Sequence, residues 1–166
     1  VSIKILPDPR INATAAEYGD QQNLGSKLEA GIKEIHETVL RIRKVRKQIN
    51  EVIDLLKDNA AYKDITDSGK KITAKLQKWE EEIVQNKAQS NDDIINFINK
   101  ISADYIFLKG EMDVNIPYVT NGQRIQYEKL NADWLKLKSD INGILNKDVA
   151  GFNALCKQKN LDKIII

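Results

Sequence analysis

From Ile11 to Ile116 the chain has no proline, and apolar side chains return along it at steps of three and four. Leu28, Ile32, Ile35, Val39, Ile42, Ile49, Ile53 and Leu56 are separated by 4, 3, 4, 3, 7, 4 and 3 positions. A repeat this close to 3.5 draws one stripe along one side of a helix, and the stripe is hidden only if other helices lie lengthwise against it. The spacing predicts a first helix from about Ala13 to Asp58, roughly 65–70 Å long at 1.5 Å per residue. Gly19, Gly25 and Gly31 weaken its first half and allow a bend there. Arg46 falls in the gap between Ile42 and Ile49. A charge on the stripe side needs an opposite charge or a route to water, so Arg46 is predicted to pair with a carboxylate of another helix.

Three more stripes follow. Ile72, Leu76, Trp79 and Ile83, with Asn86 next in register, predict a second helix over about Ala61 to Gln89, after a polar reversal in Lys57–Gly69. Gln89–Asp93 is the next break, where Ser, Asn and Asp can cap free backbone N–H groups and Asp92 or Asp93 would open the third helix. Ile94, Ile98, Ile101, Tyr105, Leu108 and Met112 mark that helix. Asp113–Gly122, with Pro117 and Asn121-Gly122, is a loop. Tyr127, Leu130, Trp134, Leu137, Ile141, Leu145, Val149, Phe152 and Leu155 mark the last helix, and an extended tail ends in Ile164–Ile166. The expected fold is all-α: an elongated antiparallel up-and-down bundle of three to four long helices.

The start of the chain does not fit that pattern. Val1, Ile3 and Ile5 alternate with Ser2 and Lys4 before Pro7-Asp8-Pro9, which reads as one short strand and a turn. A lone strand has no sheet to join. Residues 1–10 are therefore expected to be a strand-like remnant or linker from a preceding β domain, and 11–166 the helical domain. The tail Ile164–Ile166 could offer Val1–Leu6 a second strand.

Composition excludes several functions. With 26 basic and 24 acidic residues the net charge is +2, too balanced for a chain whose main task is gripping nucleic acid. No apolar run approaches the ~20 residues of a membrane-spanning helix. The single cysteine, Cys156, permits no internal disulfide. It lies near a helix C-terminus, where the dipole disfavours a thiolate, and reads as a small buried hydrophobe.

Candidate chemistry is sparse. His36 is the only histidine. The zinc-protease pattern needs a second histidine four positions on, where Leu40 stands. A di-iron bundle needs Glu three before each histidine, where Lys33 stands. No metal, cofactor or catalytic residue is expected, and His36 reads as a helix-flank residue. Glu80-Glu81-Glu82 and Asp92-Asp93 are carboxylate runs whose neighbours point in different directions, mostly solvated surface. Trp79 and Trp134 fall on stripes and read as core. Arg41–Lys47 carries five basic residues in seven. Arg41, Arg43, Lys44 and Lys47 could meet an acidic partner, although Glu34, Glu37, Glu51 and Asp54 are near enough to neutralise much of the charge.

Several stretches together carry a resemblance: "VSIKILPDPRI", "VLRIRKVRKQI", "EEEIVQNKAQSNDDIINFINKISADYIFLKGEMD" and "GFNALCKQKNLDKIII", in this order. The chain resembles the C-terminal region of large bacterial BNR-repeat, sortilin-like proteins of the glycosyl-hydrolase class. Its most specific elements are Asp8-Pro9-Arg10, Ile42-Arg43 with Arg46, and Val84-Gln85-x-Lys87. The family's Tyr-Pro step near the third helix is replaced here by Asn96-Phe97-Ile98. The resemblance implies that a β-propeller and a small β-sandwich precede a closing helical domain, so the lone strand would be the sandwich's last. It implies no catalytic residue in this chain, since chemistry would belong to the propeller. It also implies an exported, periplasmic or extracellular setting. The expected partners are the upstream domains of the same polypeptide, another protein, or a second copy of the chain, with no nucleic acid and no membrane span.

Overall fold

The computed structural model describes residues 2–4, 6, 8–88, 90, 93, 95–113 and 117–161. Five helices account for most of them: α1 (Ala15–Leu56), α2 (Lys63–Ile83), α3 (Ile101–Asp113), α4 (Asn121–Gly143) and α5 (Ala150–Gln158). A π-helical segment, Ile144–Val149, joins α4 to α5 without a break. The all-α class therefore holds. The expected N-terminal strand is not shown: no strand occurs among the described residues, which include Ser2–Lys4 and Leu6. Ile3 and Leu6 stand open to solvent, so alternation alone, without a neighbouring strand to bond, gives them nothing to build on. The tail Ile164–Ile166, and with it the proposed pairing, lies outside the described residues.

Helix α1 starts where its chemistry says it should. The Thr14 side chain accepts from the Glu17 backbone N–H, and the Glu17 carboxylate accepts from the Thr14 N–H at 2.7 Å. This reciprocal box satisfies two of the backbone donors that a helix start leaves free. Thr120 and Gln123 repeat it at the start of α4. The α1–α2 reversal is held by Asn59, whose side chain accepts from Ala61 N–H at 3.0 Å.

α1 is the spine. It runs 42 residues, about 63 Å, and α2 and α3 lie one after the other along it. Gly69 of α2 meets Ile49 and Ile53, while Glu80 meets Arg43 and Arg46. On α3, Ser102 meets His36, Tyr105 meets Gly31, and Met112 accepts from Gln21. In both sets the partner numbers fall as the helix advances, so α2 and α3 both run antiparallel to α1. The α4–α5 rod runs back with α1: Arg124 pairs with Asp20, and Trp134 with Glu34. Against α2 it is antiparallel, with Lys75–Asp148 and Asp64–Lys159 ion pairs. The result is three rods, the middle one interrupted between Ile83 and Ile101.

That interruption corrects the expected third helix. Ile98 was placed on its stripe but is 84% exposed, and α3 begins only at Ile101; Ile94 and Asp92 lie outside the described residues. Val84 is already extended. α1 also corrects one position: Val45, buried to 1% exposure, fills the gap between Ile42 and Ile49. The stripe is therefore continuous, and Arg46 sits beside it rather than on it.

The core is one cluster running the length of the rods, with Leu28, Ile35, Ile42, Ile49, Ile65, Leu76, Ile83 and Ile141 fully buried. Each such side chain contributes about 1.5–3 kcal/mol of transfer free energy. In the third rod, Leu137, Ile141, Leu145 and Val149 recur at steps of four, longer than a 3.5 repeat allows. The π segment absorbs the excess: the Ala150 N–H donates to the Leu145 carbonyl, five residues back. One extra residue per turn there returns Val149 and Phe152 to the core side.

Candidate functional site

The densest polar construction lies where α2 ends. Glu80 is 1% exposed, and both its oxygens face α1. Arg43 Nε donates to Oε1 at 2.8 Å, and Asn86 Nδ2 donates to the same oxygen at 3.2 Å. Arg43 Nη2 donates on to Asn86 Oδ1 at 3.2 Å, closing a ring. Arg46 Nη1 lies 2.8 Å from Oε2. That contact is an ion pair without aligned hydrogen-bond geometry, so Oε2 has a counter-charge but no well-placed donor. One buried carboxylate thus faces two guanidiniums on adjacent turns of α1.

Sequence spacing explains the arrangement. Arg43 and Arg46 are three apart and share a helix side. Glu80 follows Trp79, so it sits on the edge of α2's stripe, turned toward α1. The predicted pairing of Arg46 with a carboxylate of another helix holds. The placement of Glu80 in a solvated run does not: an ionised carboxylate is taken out of water here because two arginines meet it. Arg43, expected on a possible partner surface with Arg41, Lys44 and Lys47, meets Glu80 with one edge while its side chain stays 44% exposed. Arg41 and Lys44 are exposed with no ion pair among the described residues, and Lys47 approaches Glu51 only to 3.9 Å.

The other candidates resolve into packing. His36 Nε2 and Ser102 Oγ are 2.9 Å apart, linking α1 to α3. Trp79 and Trp134 pack with centroids 6.4 Å apart and planes tilted 53°. Trp79 Nε1 donates to the Leu137 carbonyl and Trp134 Nε1 to Glu34, each at 2.8 Å. Lys138 also pairs with Glu34, and these two donors hold its carboxyl below the usual range. Tyr105 is buried, and loss of solvation pushes its phenol up to about 12. Cys156 is fully buried, and burial pushes its thiol up, away from nucleophilic character.

Open clefts occur between rods. One of about 390 Å³ is lined by Glu82, Asp104, Asp133 and Asp140 together with Lys100 and Lys136. Among the described residues no group of three or more His, Cys, Asp or Glu side chains is placed to hold a metal ion. No helix among them is long and apolar enough to cross a membrane. Compared with known proteins, the chain matches no family model, no curated protein and no solved structure.

Proposed function

We propose that this chain is a non-catalytic helical accessory domain of a larger, exported polypeptide of the BNR-repeat, sortilin-like kind, and that it packs against or spaces the domains before it. One observation carries the reading. Two of the stretches on which the resemblance rests, 39–49 and the one that begins at Glu80, meet in space: Arg43 and Arg46 of the first face Glu80 of the second, with Asn86 beside them, and the contact fastens two helices. Arg43 and Arg46 meet Glu80 across α1 and α2, and Asn86 bonds to both Arg43 and Glu80. A rod about 63 Å long fits a spacer or a docking face. Glycoside-cleaving chemistry, if the whole polypeptide has it, belongs to the propeller the resemblance implies.

The test uses the chain and its own neighbours. Purified chain is assayed against a panel of chromogenic aryl glycosides, sialosides included. Its binding to the domains encoded directly upstream of Val1 is measured by calorimetry. The expected result is no turnover together with saturable binding. Turnover by the chain alone, abolished by a single carboxylate substitution, would overturn the reading.

A further inference from the structure

The Glu80 fastener is unbalanced. Two guanidiniums share one carboxylate, and Lys47 stands one turn from Arg43 on the same side of α1. Lys47 is 78% exposed, and among the described residues the acid it pairs with, Glu51, is at 3.9 Å. The inner edges of the arginines are engaged while much of the rest is not. Arg43 uses Nε and Nη2, and Arg46 uses Nη1 alone, among the described residues. Their side chains remain 44% and 27% exposed. Glu80 anchors Arg43 by a hydrogen bond and Arg46 by a counter-charge, which lowers the entropy these side chains would lose on binding.

Two guanidiniums anchored on one carboxylate, with an ammonium at i, i+3 and i+4 spacing on the same side of α1, leave a local excess of positive charge of the kind that recognises an oxyanion. We infer that the outer edges of Arg43 and Arg46, with Lys47, form a receptor for one phosphate or sulfate group. Arg41 and Lys44 belong to the same basic run but not to the receptor, because they stand two and one positions from Arg43 and point to other sides of α1, whereas Arg46 and Lys47 stand three and four positions on. The site owes its selectivity to the buried carboxylate beneath it, whereas a plain basic helix face would attract any anion weakly and lose it to salt. The inference is independent of the accessory-domain proposal: the receptor is formed whether or not other domains adjoin the chain.

The test follows the Arg43 and Arg46 Nε–Hε resonances by NMR while inorganic phosphate, then methyl phosphate, is added in about 0.15 M NaCl, an ionic strength that screens diffuse attraction within ~8 Å. Saturable shifts of both resonances are expected, with dissociation constants on the order of a millimolar. Arg43→Lys keeps the charge and loses the fork, and should weaken binding about tenfold. Lys47→Gln touches no core contact and should weaken it about two- to threefold, while Arg41→Gln should change it less than twofold. Circular dichroism checks that Arg43→Lys is folded, and Lys47→Gln keeps the test decisive if it is not. Binding of phosphate but not methyl phosphate assigns the site to the free ion; binding of both assigns it to an esterified group. Absence of saturable shifts with either probe, or equal weakening by Arg41→Gln and Lys47→Gln, would overturn the inference.

Discussion

The two halves of α1 use the same device against different partners. Along its second half, α2 approaches through Gly69, where an added Cβ would meet Ile53 Cδ1 and Cγ1 at 2.9 Å and Ile49 Cγ2 at 3.2 Å. Along its first half, α1 supplies the glycine: a Cβ on Gly31 would meet the Tyr105 ring at 2.6 Å. Glycine thus lets two helix backbones come close in both places, but what fills the space differs. The α2 contact is made by branched aliphatic chains with the Glu80 fastener at its end. The α3 contact is made at its closest point by one rigid ring, with Ile101, Leu108 and Met112 buried along the same helix and polar bonds such as His36–Ser102 and Gln21–Met112 beside them. α3 is also only 13 residues long, and residues 98–100 before it are not helical. The difference teaches that α2 should hold by many interchangeable contacts and α3 by a few specific ones.

Truncating the central side chain of each half is the strongest way to break that comparison. Tyr105→Ala should cost about 3–5 kcal/mol, and Ile49→Ala about 2–5, as large-to-small core changes do. Chemical denaturation measures both. Native-state hydrogen exchange should show α3 amides opening well below the global unfolding free energy and α2 amides near it. Equal protection of the two helices would erase the distinction.

Glycine substitution is a finer probe. Gly31→Ala should destabilise by about 1–2 kcal/mol, because the aromatic ring cannot bend out of the way. Tyr105→Leu should cancel most of that penalty in the double variant. Gly69→Ala should fall within about 1 kcal/mol of the parent, since alanine gains roughly 1 kcal/mol of helix propensity against a clash with more yielding chains. Alkaline pH provides the smallest test. Tyr105 ionises near 10 when unfolded and about 12 when folded, so its stabilising contribution is complete below 10. It is lost as pH rises through the folded value, because the unfolded chain releases its proton first. Tyr105→Phe should flatten that decline, and absorbance at 295 nm in the parent should show one phenol titrating late.

Much of this architecture was legible because helix stripes report their own burial. Seven of the eight stripe positions predicted for α1 are buried, with Ile32 partly so. The missed features follow from competition between local pattern and tertiary contact. Ile98 continues the third stripe in register, yet α2 has already ended and no rod covers it, so the helix starts three residues later. The π segment was written in the steps of four after Leu137, which look like an ordinary helix unless compared with a 3.5 repeat. The Thr14–Glu17 and Thr120–Gln123 boxes were also readable as Thr-x-x-Glu/Gln. For the candidate site, Arg46 announced itself by its place near the stripe. Glu80 did not, because three consecutive glutamates look alike until the neighbouring helix is known.

The central claim is that the charged residues at the α2 terminus fasten two helices across a buried carboxylate. A double-mutant cycle on Glu80→Gln and Arg46→Gln, read by urea denaturation, addresses it directly. The account predicts that each single change costs about 2–4 kcal/mol and that the pair couples by more than about 1 kcal/mol, as buried ion pairs do when one partner is left alone. Independent effects of the two substitutions, adding to within about 0.3–0.5 kcal/mol, would contradict it.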